Sequence, residues 1–256
     1  MDEILVERSP SGVVTATFNR PHHKNAVTMS MWSEMTRIFQ DVSTRGSDRV
    51  LVLTGAEDAF CSGADLGGEV TAQHPLHGMS PVNAAANALH EVTKPTIAKV
   101  NGDAVGAGMN IALGCDLIVA GESARFSEIF VRRALSVDFG GTWLLPRLIG
   151  MHKAKELALF GDVISAQEAE RIGIVNRVVK DDELDAFTDD WAERLAAGPP
   201  LAQQMTKKMM SNAFSQSLSE ALDAEASSQT VNLVSGDTRE GIAAFLEKRK
   251  PQFKGR

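Results

Sequence analysis

Cysteine is scarce in this 256-residue chain, and long apolar runs are missing altogether. The two cysteines, Cys61 and Cys115, are far apart and have no second cysteine or histidine at ligand spacing. This excludes a disulfide framework and a zinc site, and predicts that both are small buried residues. No apolar run approaches the roughly 20 residues that cross a bilayer, and the first residues do not resemble a signal peptide. We therefore expect a cytoplasmic protein with no membrane partner.

The chain also has fewer basic than acidic residues, and its formal net charge is -7. This argues against nucleic acid as a partner. The charge is uneven, because residues 247–256 contain five basic residues and one acid, so this tail carries +4 and the remainder -11. Two interpretations of the tail stay open: a docking site for a polyanionic ligand, or a solvated basic helix end.

Several nucleotide and hydrolase motifs are missing as well. The chain contains no GxSxG elbow, P-loop or HExxH helix. The segment Gly106-Ala107-Gly108 is similar to the start of a dinucleotide fingerprint. However, Ile111 occupies the third glycine position, and the segment lies in mid-chain without the expected first βαβ unit.

The hydrophobic pattern of the first half predicts a layered α/β architecture. Apolar, β-branched runs predict strands at residues 4–7, 13–18, 50–54, 96–100 and 117–120. Helical spacing predicts covering helices at residues 30–43 and 81–92, and residues 67–80 are predicted to form a loop over the site.

The second half is predicted to be almost entirely helical. The predicted helices are residues 150–160, 165–171, 181–197, 200–214, 218–233 and 238–248, with one strand at 174–179. Gly198-Pro199-Pro200 is typical of a stop and restart between helices. We therefore divide the chain into a core domain, residues 1–197, and a helical C-terminal region, residues 198–256.

Two segments place small residues just after a predicted strand. Residues 59–66 contain small residues suited to a tight turn, and such a turn can leave the backbone N–H of Ala64 pointing at a ligand. Residues 100–110 run through glycines into an apolar helix, whose first N–H groups have no partner within the helix. Both arrangements suit a negatively charged atom.

These segments belong to a larger ordered set of motifs that resembles the crotonase superfamily, that is, enoyl-CoA hydratases and isomerases. The matching segments are Asn19-Arg20-Pro21, Asn25-Ala26, residues 60–66, 94–98, 102–108, 115–117, 140–142, 145–147, 161–169, 173–175 and 245–249. The resemblance implies a spiral of ββα turns followed by a helical trimerisation region, and a homotrimer or a hexamer built from trimers. It also implies an acyl-CoA thioester substrate, with no metal and no cofactor apart from the coenzyme A of the substrate.

The resemblance assigns a role to two backbone groups. The N–H groups of Ala64 and Ala107 are expected to form an oxyanion hole. Proton removal from an acyl-CoA puts negative charge on the thioester oxygen, and each preorganised donor is typically worth about 100- to 1,000-fold in rate.

Further residues are expected to bind the substrate. Lys24 and Lys248 match positions that meet the phosphates of coenzyme A in relatives, and Phe245 matches a residue beside the ligand; Phe245 and Lys248 are expected to act across a subunit interface. The full predicted binding set is Lys24, Ala26, Ser62, Ala64, Asp65, Leu66, Gly106, Phe130, Trp143, Phe245 and Lys248. Asp65 and Asp116 are also expected to hold turns through hydrogen bonds to the backbone.

The catalytic carboxylates distinguish the possible reactions. Family hydratases use two glutamates, and the matching positions here are Asn110 and Phe130. Asp138, before Phe139-Gly140-Gly141, resembles the carboxylate of the isomerase branches, including ring-epoxide isomerases of phenylacetyl-CoA breakdown. One carboxylate suffices to remove a proton at one carbon and return it at another, so we predict an isomerase with Asp138 as acid and base.

Alternatives stay open. A hydratase could use Glu128 as its acid, and a catalytically silent acyl-CoA-binding protein could share the fold. Asp138 could also be only the N-cap of the following helix. Capping would lower the pKa of Asp138, whereas an apolar pocket including Phe130, Phe139 and Trp143 would raise it.

Overall fold

The computed structural model describes residues 2–67 and 75–256, with the backbone alone for residues 75–77. Within these ranges the chain forms two β-sheets and ten α-helices. This confirms the predicted α/β class.

The larger sheet has six strands in the order β1-β2-β3-β5-β7-β10. The strands are β1 (Ile4–Arg8), β2 (Val13–Phe18), β3 (Val50–Gly55), β5 (Thr96–Val100), β7 (Leu117–Gly121) and β10 (Arg177–Val179). β1 and β2 are antiparallel, and the remaining neighbours are parallel. Every residue of β3 is buried, because helices cover both faces of a parallel sheet.

The smaller sheet has four strands in the order β4-β6-β8-β9. They are β4 (Ala59–Cys61), β6 (Asp103–Val105), β8 (Arg125–Ser127) and β9 (Ile164–Ser165). The hydrophobic pattern did not predict these strands, because two or three residues are too few to show an alternation.

The helices follow in the order of the chain. They are α1 (Met29–Thr44), α2 (Pro75–His90), α3 (Ala107–Leu113), α4 (Gly141–Ile149), α5 (Met151–Phe160), α6 (Ala166–Arg171), α7 (Leu184–Ala196), α8 (Pro200–Ser211), α9 (Leu218–Leu233) and α10 (Gly236–Glu247). Two strands, one from each sheet, precede α2, and two more precede α3. This repetition is the spiral of ββα turns that the sequence resemblance implied.

The hydrophobic core lies between the larger sheet and α1, α2 and α3. In α1 the buried residues recur every three or four positions, at Met31, Trp32, Met35, Ile38, Phe39 and Val42. Both cysteines are buried, as predicted, and burial raises the pKa of the Cys61 thiol to about 12. Neither thiol is therefore suited to nucleophilic chemistry.

The predicted loop at residues 67–80 is wrong in part. Residues 75–80 belong to α2, and residues 68–74, with the predicted cover over the site, lie outside the described residues. Pro81, which has no N–H to donate, lies inside this helix and not at the predicted start of it. In the structure α2 packs along α1, and this tertiary contact supports the helix on both sides of Pro81.

α8, the first helix of the predicted C-terminal region, begins at Pro200, as the Gly-Pro-Pro segment predicted. α8 contacts the core through Lys207, whose Nζ lies 2.7 Å from a carboxylate oxygen of Asp116. Neither α8 nor α9 contains a buried residue. The domain boundary between residues 197 and 198 stays a prediction.

Among the described residues no helix is long and apolar enough to span a membrane.

Candidate active site

The bridge between Ala64 and Val27 does not use the N–H of Ala64. In this parallel bridge, N–H of Val27 donates to O of Gly63 (2.8 Å), and N–H of Asp65 donates to O of Val27 (2.9 Å). The bonds of Val27 go to the residues on either side of Ala64, so the N–H of Ala64 itself points away from Val27. Ala64 is exposed at this point of the surface.

Ala107 places a second N–H beside that of Ala64. It is the first residue of α3, so its N–H has no acceptor within the helix. A Cβ on Gly63 would lie 3.5 Å from N of Ala107, which places that nitrogen beside the Gly63–Ala64 peptide. The structure thus brings the two predicted donors together.

Two glycines permit this close approach. Gly63 has φ +99°, a conformation that other residues rarely adopt, and a Cβ there would lie 3.0 Å from O of Val105. A Cβ on Gly108 would lie 2.0 Å from O of Cys61, so α3 packs directly against the end of β4. Any side chain at Gly108 would push the two segments apart.

Asp138 begins a tight turn that precedes α4. Its carbonyl oxygen accepts N–H of Gly141 at 3.0 Å, and both central residues of the turn have positive φ, +49° for Phe139 and +81° for Gly140. Positive φ costs roughly 1–2 kcal/mol for a residue such as phenylalanine. The ring of Phe139 is buried against Trp32, with 5.5 Å between centroids, and this packing holds the strained residue in place.

The carboxylate of Asp138 does not cap the helix. The N-cap of α4 is Gly140, and no side chain caps it. Oδ1 of Asp138 is buried and has no hydrogen-bond partner among the described residues. Burial raises the pKa of Asp138 to about 6, so the carboxylate is ionised at neutral pH and more basic than an ordinary aspartate. The N-cap alternative is therefore wrong.

Asn110 connects α3 to this turn. It lies one helical turn after Ala107, and its Nδ2 donates to the carbonyl oxygen of Asp138 at 3.0 Å. A Cβ on Gly141 would lie 2.4–2.6 Å from the Asn110 amide, so a glycine is required there. In the sequence Asn110 was recognisable only as the residue in place of a glutamate; its contact with Asp138 could not be predicted without the fold.

Glu128 is fully buried beside the same residues. Both of its carboxyl oxygens lack a hydrogen-bond partner among the described residues. Burial raises the pKa of Glu128 to about 8; the nearby Asn110 amide opposes this rise, and the charge of Asp138 adds to it. Two carboxyl groups with different environments and different pKa values therefore lie together.

Two predicted aromatic residues border the site. Phe130 is buried, and its ring would lie 3.7 Å from a Cβ on Gly106, next to the Ala107 donor. Trp143 is 40% exposed and lies under the Arg147 guanidinium, with 3.9 Å to the ring centroid. A cavity of about 270 Å³ lies between α2 and α4 and is lined by Ala86, Asn87, His90, Gly114, Phe139, Gly140, Trp143 and Leu144.

Several predicted binding residues lie around the Ala64 turn. N–H of Ser62 donates to O of Lys24 at 3.0 Å, and Ala26 is buried beneath them. Nζ of Lys24 lies 2.6 Å from Asp58; this contact raises the pKa of the exposed lysine. Leu66 is exposed beside the turn.

Asp65 and Asp116 have the structural contacts that the sequence predicted. Asp65 binds the guanidinium of Arg20 (2.9 Å) and accepts N–H of Gly67 (2.9 Å). Asp116 accepts both N–H and Oγ–H of Thr96, at 2.8 and 2.9 Å. The contacts of Asp65 favour a role in holding the turn over direct contact with a ligand.

Phe245 and Lys248 lie at the end of α10. Phe245 is 82% exposed, and Lys248, at φ +56°, ends the helix. The structure does not bring them together with Lys24, and α10 packs on α9. Within the basic tail, Arg249 is bound to Glu240 and Glu247, each at 2.6 Å, so its charge is already paired.

The fold and the paired backbone donors define a crotonase-type α/β enzyme. The enoyl-CoA hydratase/isomerase family model matches residues 8–256. The chain is 37% identical to the 1,2-epoxyphenylacetyl-CoA isomerase and 35% identical to the 2,3-dehydroadipyl-CoA hydratase, both of Escherichia coli K12, with 100% of every chain covered. The crystal structure of an enoyl-CoA hydratase from Bacillus anthracis has a TM-score of 0.96 at 34% identity, again with 100% of both chains covered. The protein therefore belongs to the enoyl-CoA hydratase/isomerase family.

Proposed function

We propose that this enzyme isomerises an enoyl-CoA or a ring-epoxide acyl-CoA, with Asp138 as the group that moves the proton. The observation that carries the proposal is the buried Oδ1 of Asp138, which has no hydrogen-bond partner in the described part of the chain and does not cap α4. An unpartnered buried oxygen is costly, and a costly feature held on a strained turn suggests a functional role.

The backbone donors supply the electrostatic half of the mechanism. The N–H groups of Ala64 and Ala107 bind the thioester oxygen and stabilise the negative charge that develops when Asp138 removes a proton. Asp138 then returns the proton at another carbon of the delocalised enolate. Asn110 and Phe130, which stand at the two glutamate positions of the family hydratases, offer neither an acid nor a base for water addition.

The cavity between α2 and α4 favours a substrate with an apolar acyl group. Phe139, directly after Asp138, contributes to its wall, and Trp143 lies one helical turn further along. We infer that the acyl group extends toward this cavity. The epoxyphenylacetyl-CoA isomerase among the relatives makes an aromatic acyl group a candidate.

The test is turnover of a panel of 3-enoyl-CoA esters and epoxidised phenylacetyl-CoA, followed by the absorbance of the conjugated product or by chromatography. Asp138→Asn is expected to lower kcat roughly 100- to 10,000-fold, because the amide cannot accept the proton. The matched control is Asp185→Asn, which removes an 81% exposed carboxylate paired with Lys99. If the Asp138→Asn variant had the same kcat as the Asp185→Asn variant, Asp138 would not be part of the mechanism.

A hydratase is the second candidate, and Glu128 is the observation that favours it. This carboxyl lies near Asp138 with its pKa raised to about 8, so it holds a proton at neutral pH. An acid and a base together could add water to a 2-enoyl-CoA. Formation of 3-hydroxyacyl-CoA from crotonyl-CoA, lost in Glu128→Gln, would support this alternative.

Coenzyme A binding and assembly complete the proposal. Lys24 is proposed to bind a phosphate of coenzyme A, and Phe245 and Lys248 of a neighbouring subunit are proposed to close the site. A homotrimer, alone or paired into a hexamer, would cover the apolar side chains that α9 and α10 expose, among them Leu222, Leu233 and Phe245. Light scattering on the purified protein measures the number of subunits. A monomer at micromolar concentration would contradict the proposed homotrimer or hexamer.

A further inference from the structure

Three neighbouring residues around the proposed catalytic turn carry four buried oxygen atoms that lack a donor among the described residues. They are both carboxyl oxygens of Glu128, Oδ1 of Asn110 and Oδ1 of Asp138, all buried and all without a hydrogen-bond partner among the described residues. Buried polar atoms are nearly always paired, because an unpaired one costs about 1–3 kcal/mol. These residues therefore have an excess of acceptors, and a single added hydrogen would pair two of them.

The orientation of the Asn110 amide is fixed from one side. Its Nδ2 donates to the carbonyl oxygen of Asp138 at 3.0 Å, and the reversed amide would place oxygen against oxygen there. Oδ1 of Asn110 must therefore find a donor elsewhere. The amide is close enough to act on the Glu128 carboxyl, yet neither oxygen of Glu128 has a hydrogen-bond donor in the part of the chain that the structure describes.

We propose that Glu128 is a protonated, neutral carboxylic acid in the working enzyme and donates its hydrogen to Oδ1 of Asn110. Glu128 is then a positioning residue: it holds the amide that in turn holds the Asp138 turn. A neutral acid also avoids a second negative charge beside the base. This inference rests on the proposed function of Asp138 and extends it to a residue at neither of the glutamate positions of the family hydratases.

The charged groups around Glu128 agree with this assignment. Asp138 is the one charged group in the described part of the chain that shifts the pKa of Glu128, and its negative charge raises that pKa. Arg132, on the segment that follows Glu128, is bound to Asp162 and to O of Phe160 instead. Lys153 of α5, the helix that packs on this segment, is paired with Glu156 at 2.8 Å.

The test compares Glu128→Gln with Glu128→Met. Glutamine keeps a donor for Asn110 and cannot ionise, whereas methionine keeps the volume and removes the donor. Glu128→Gln is expected to retain the wild-type kcat at pH 7, and Glu128→Met to lose about tenfold, the equivalent of about 1.4 kcal/mol for a buried hydrogen bond. Loss of turnover in Glu128→Gln as complete as in Asp138→Asn would overturn the proposal, because Glu128 would then transfer a proton itself.

The pH profile gives a readout that a merely structural role would not move. Ionisation of Glu128 removes the donor, so wild-type kcat is expected to fall above a pH of about 8, and Glu128→Gln is expected to lack this fall. The same fall in both proteins would show that another group titrates there and would overturn the proposal.

Thermal stability tests the protonation without any substrate. The folded pKa of about 8 lies above the unfolded value, so the favourable contribution of Glu128 is complete below pH ~4.3 and is lost as the pH rises through 8. The difference in Tm between Glu128→Gln and wild type is therefore expected to increase by several degrees, in favour of the variant, from pH 5 to pH 8. A constant difference would overturn the proposal, even if no substrate of the panel were turned over.

Discussion

The side-chain amide of Asn110 donates from Nδ2 to the backbone carbonyl oxygen of Asp138 at 3.0 Å. One contact thus joins the helix that begins with the Ala107 donor to the turn that presents the carboxylate. Because Asn110 lies one helical turn from Ala107, the same short helix supports both the proposed oxyanion donor and the turn of the proposed base.

Gly141→Ala tests this connection. Alanine favours helices by roughly 1 kcal/mol over glycine, but its Cβ would lie 2.4–2.6 Å from the Asn110 amide. We expect the displaced amide to release the Asp138 carbonyl, which lowers kcat at least about tenfold and costs about 1–3 kcal/mol of stability. Steady-state kinetics and a thermal melt measure both, and unchanged kcat would show that the contact does not matter for turnover.

The raised pKa of Asp138 predicts opposite changes in activity and stability. The base must be ionised, so kcat/KM is expected to rise through pH ~6 and to level off above it. The folded pKa lies above the unfolded value of about 3.9, so the favourable contribution of this carboxyl is lost as the pH rises through 6. Asp138→Asn is therefore expected to melt above wild type at pH 8, with a difference that shrinks toward pH 4.5. A lower Tm for the variant at pH 8 would contradict the assigned environment.

Gly108→Ala tests the contact between α3 and β4. Its Cβ would lie 2.0 Å from O of Cys61, so the segments that carry Ala107 and Ala64 must separate. We expect a loss of about 3 kcal/mol or more and loss of turnover in the folded fraction. The matched control is Gly46→Ala, where no heavy atom lies within 4 Å and a change within about 0.5 kcal/mol is expected. Equal melting temperatures for the two variants would refute the steric argument.

Lys24→Ala is expected to weaken substrate binding without changing the chemical step. Lys24 pairs with the 71% exposed Asp58, and an exposed pair of this kind exchanges partners at little cost. We expect KM to rise roughly 3- to 10-fold at constant kcat, with the effect reduced at high salt. Asp58→Ala frees the lysine and is expected to leave KM equal or lower. An unchanged KM in Lys24→Ala would leave Lys24 as a surface ion pair only.

The sequence predicted most of the larger elements of the fold because they repeat a pattern long enough to read. The six buried residues of α1 recur at helical spacing, and β3 is a continuous apolar run. The short strands of the smaller sheet carry no such pattern. The start of α2 was missed because its contact with α1 outweighs the local preferences of Gly78 and Pro81.

The candidate site divides in the same way. The glycines around Ala64 and Ala107 and the Asp-x-Gly-Gly segment were visible in the sequence, and the structure brings the two N–H donors together. The sequence alone left Asp138 open between a base and an N-cap, because that choice depends on where α4 begins. The cluster of Glu128 with Asn110 could not be predicted, since only the fold brings residues 18 positions apart into one buried group.

The most direct test of the central claim is the ratio of kcat for Asp138→Asn to kcat for wild type on the best substrate of the panel, at pH 8 and at saturation. Binding of that acyl-CoA to both proteins is measured alongside by calorimetry. We expect equal binding and a kcat ratio of roughly 1:100 or lower, because the proposed oxyanion donors remain and only the proposed base is removed. Near-equal kcat values with equal binding would contradict the role of Asp138.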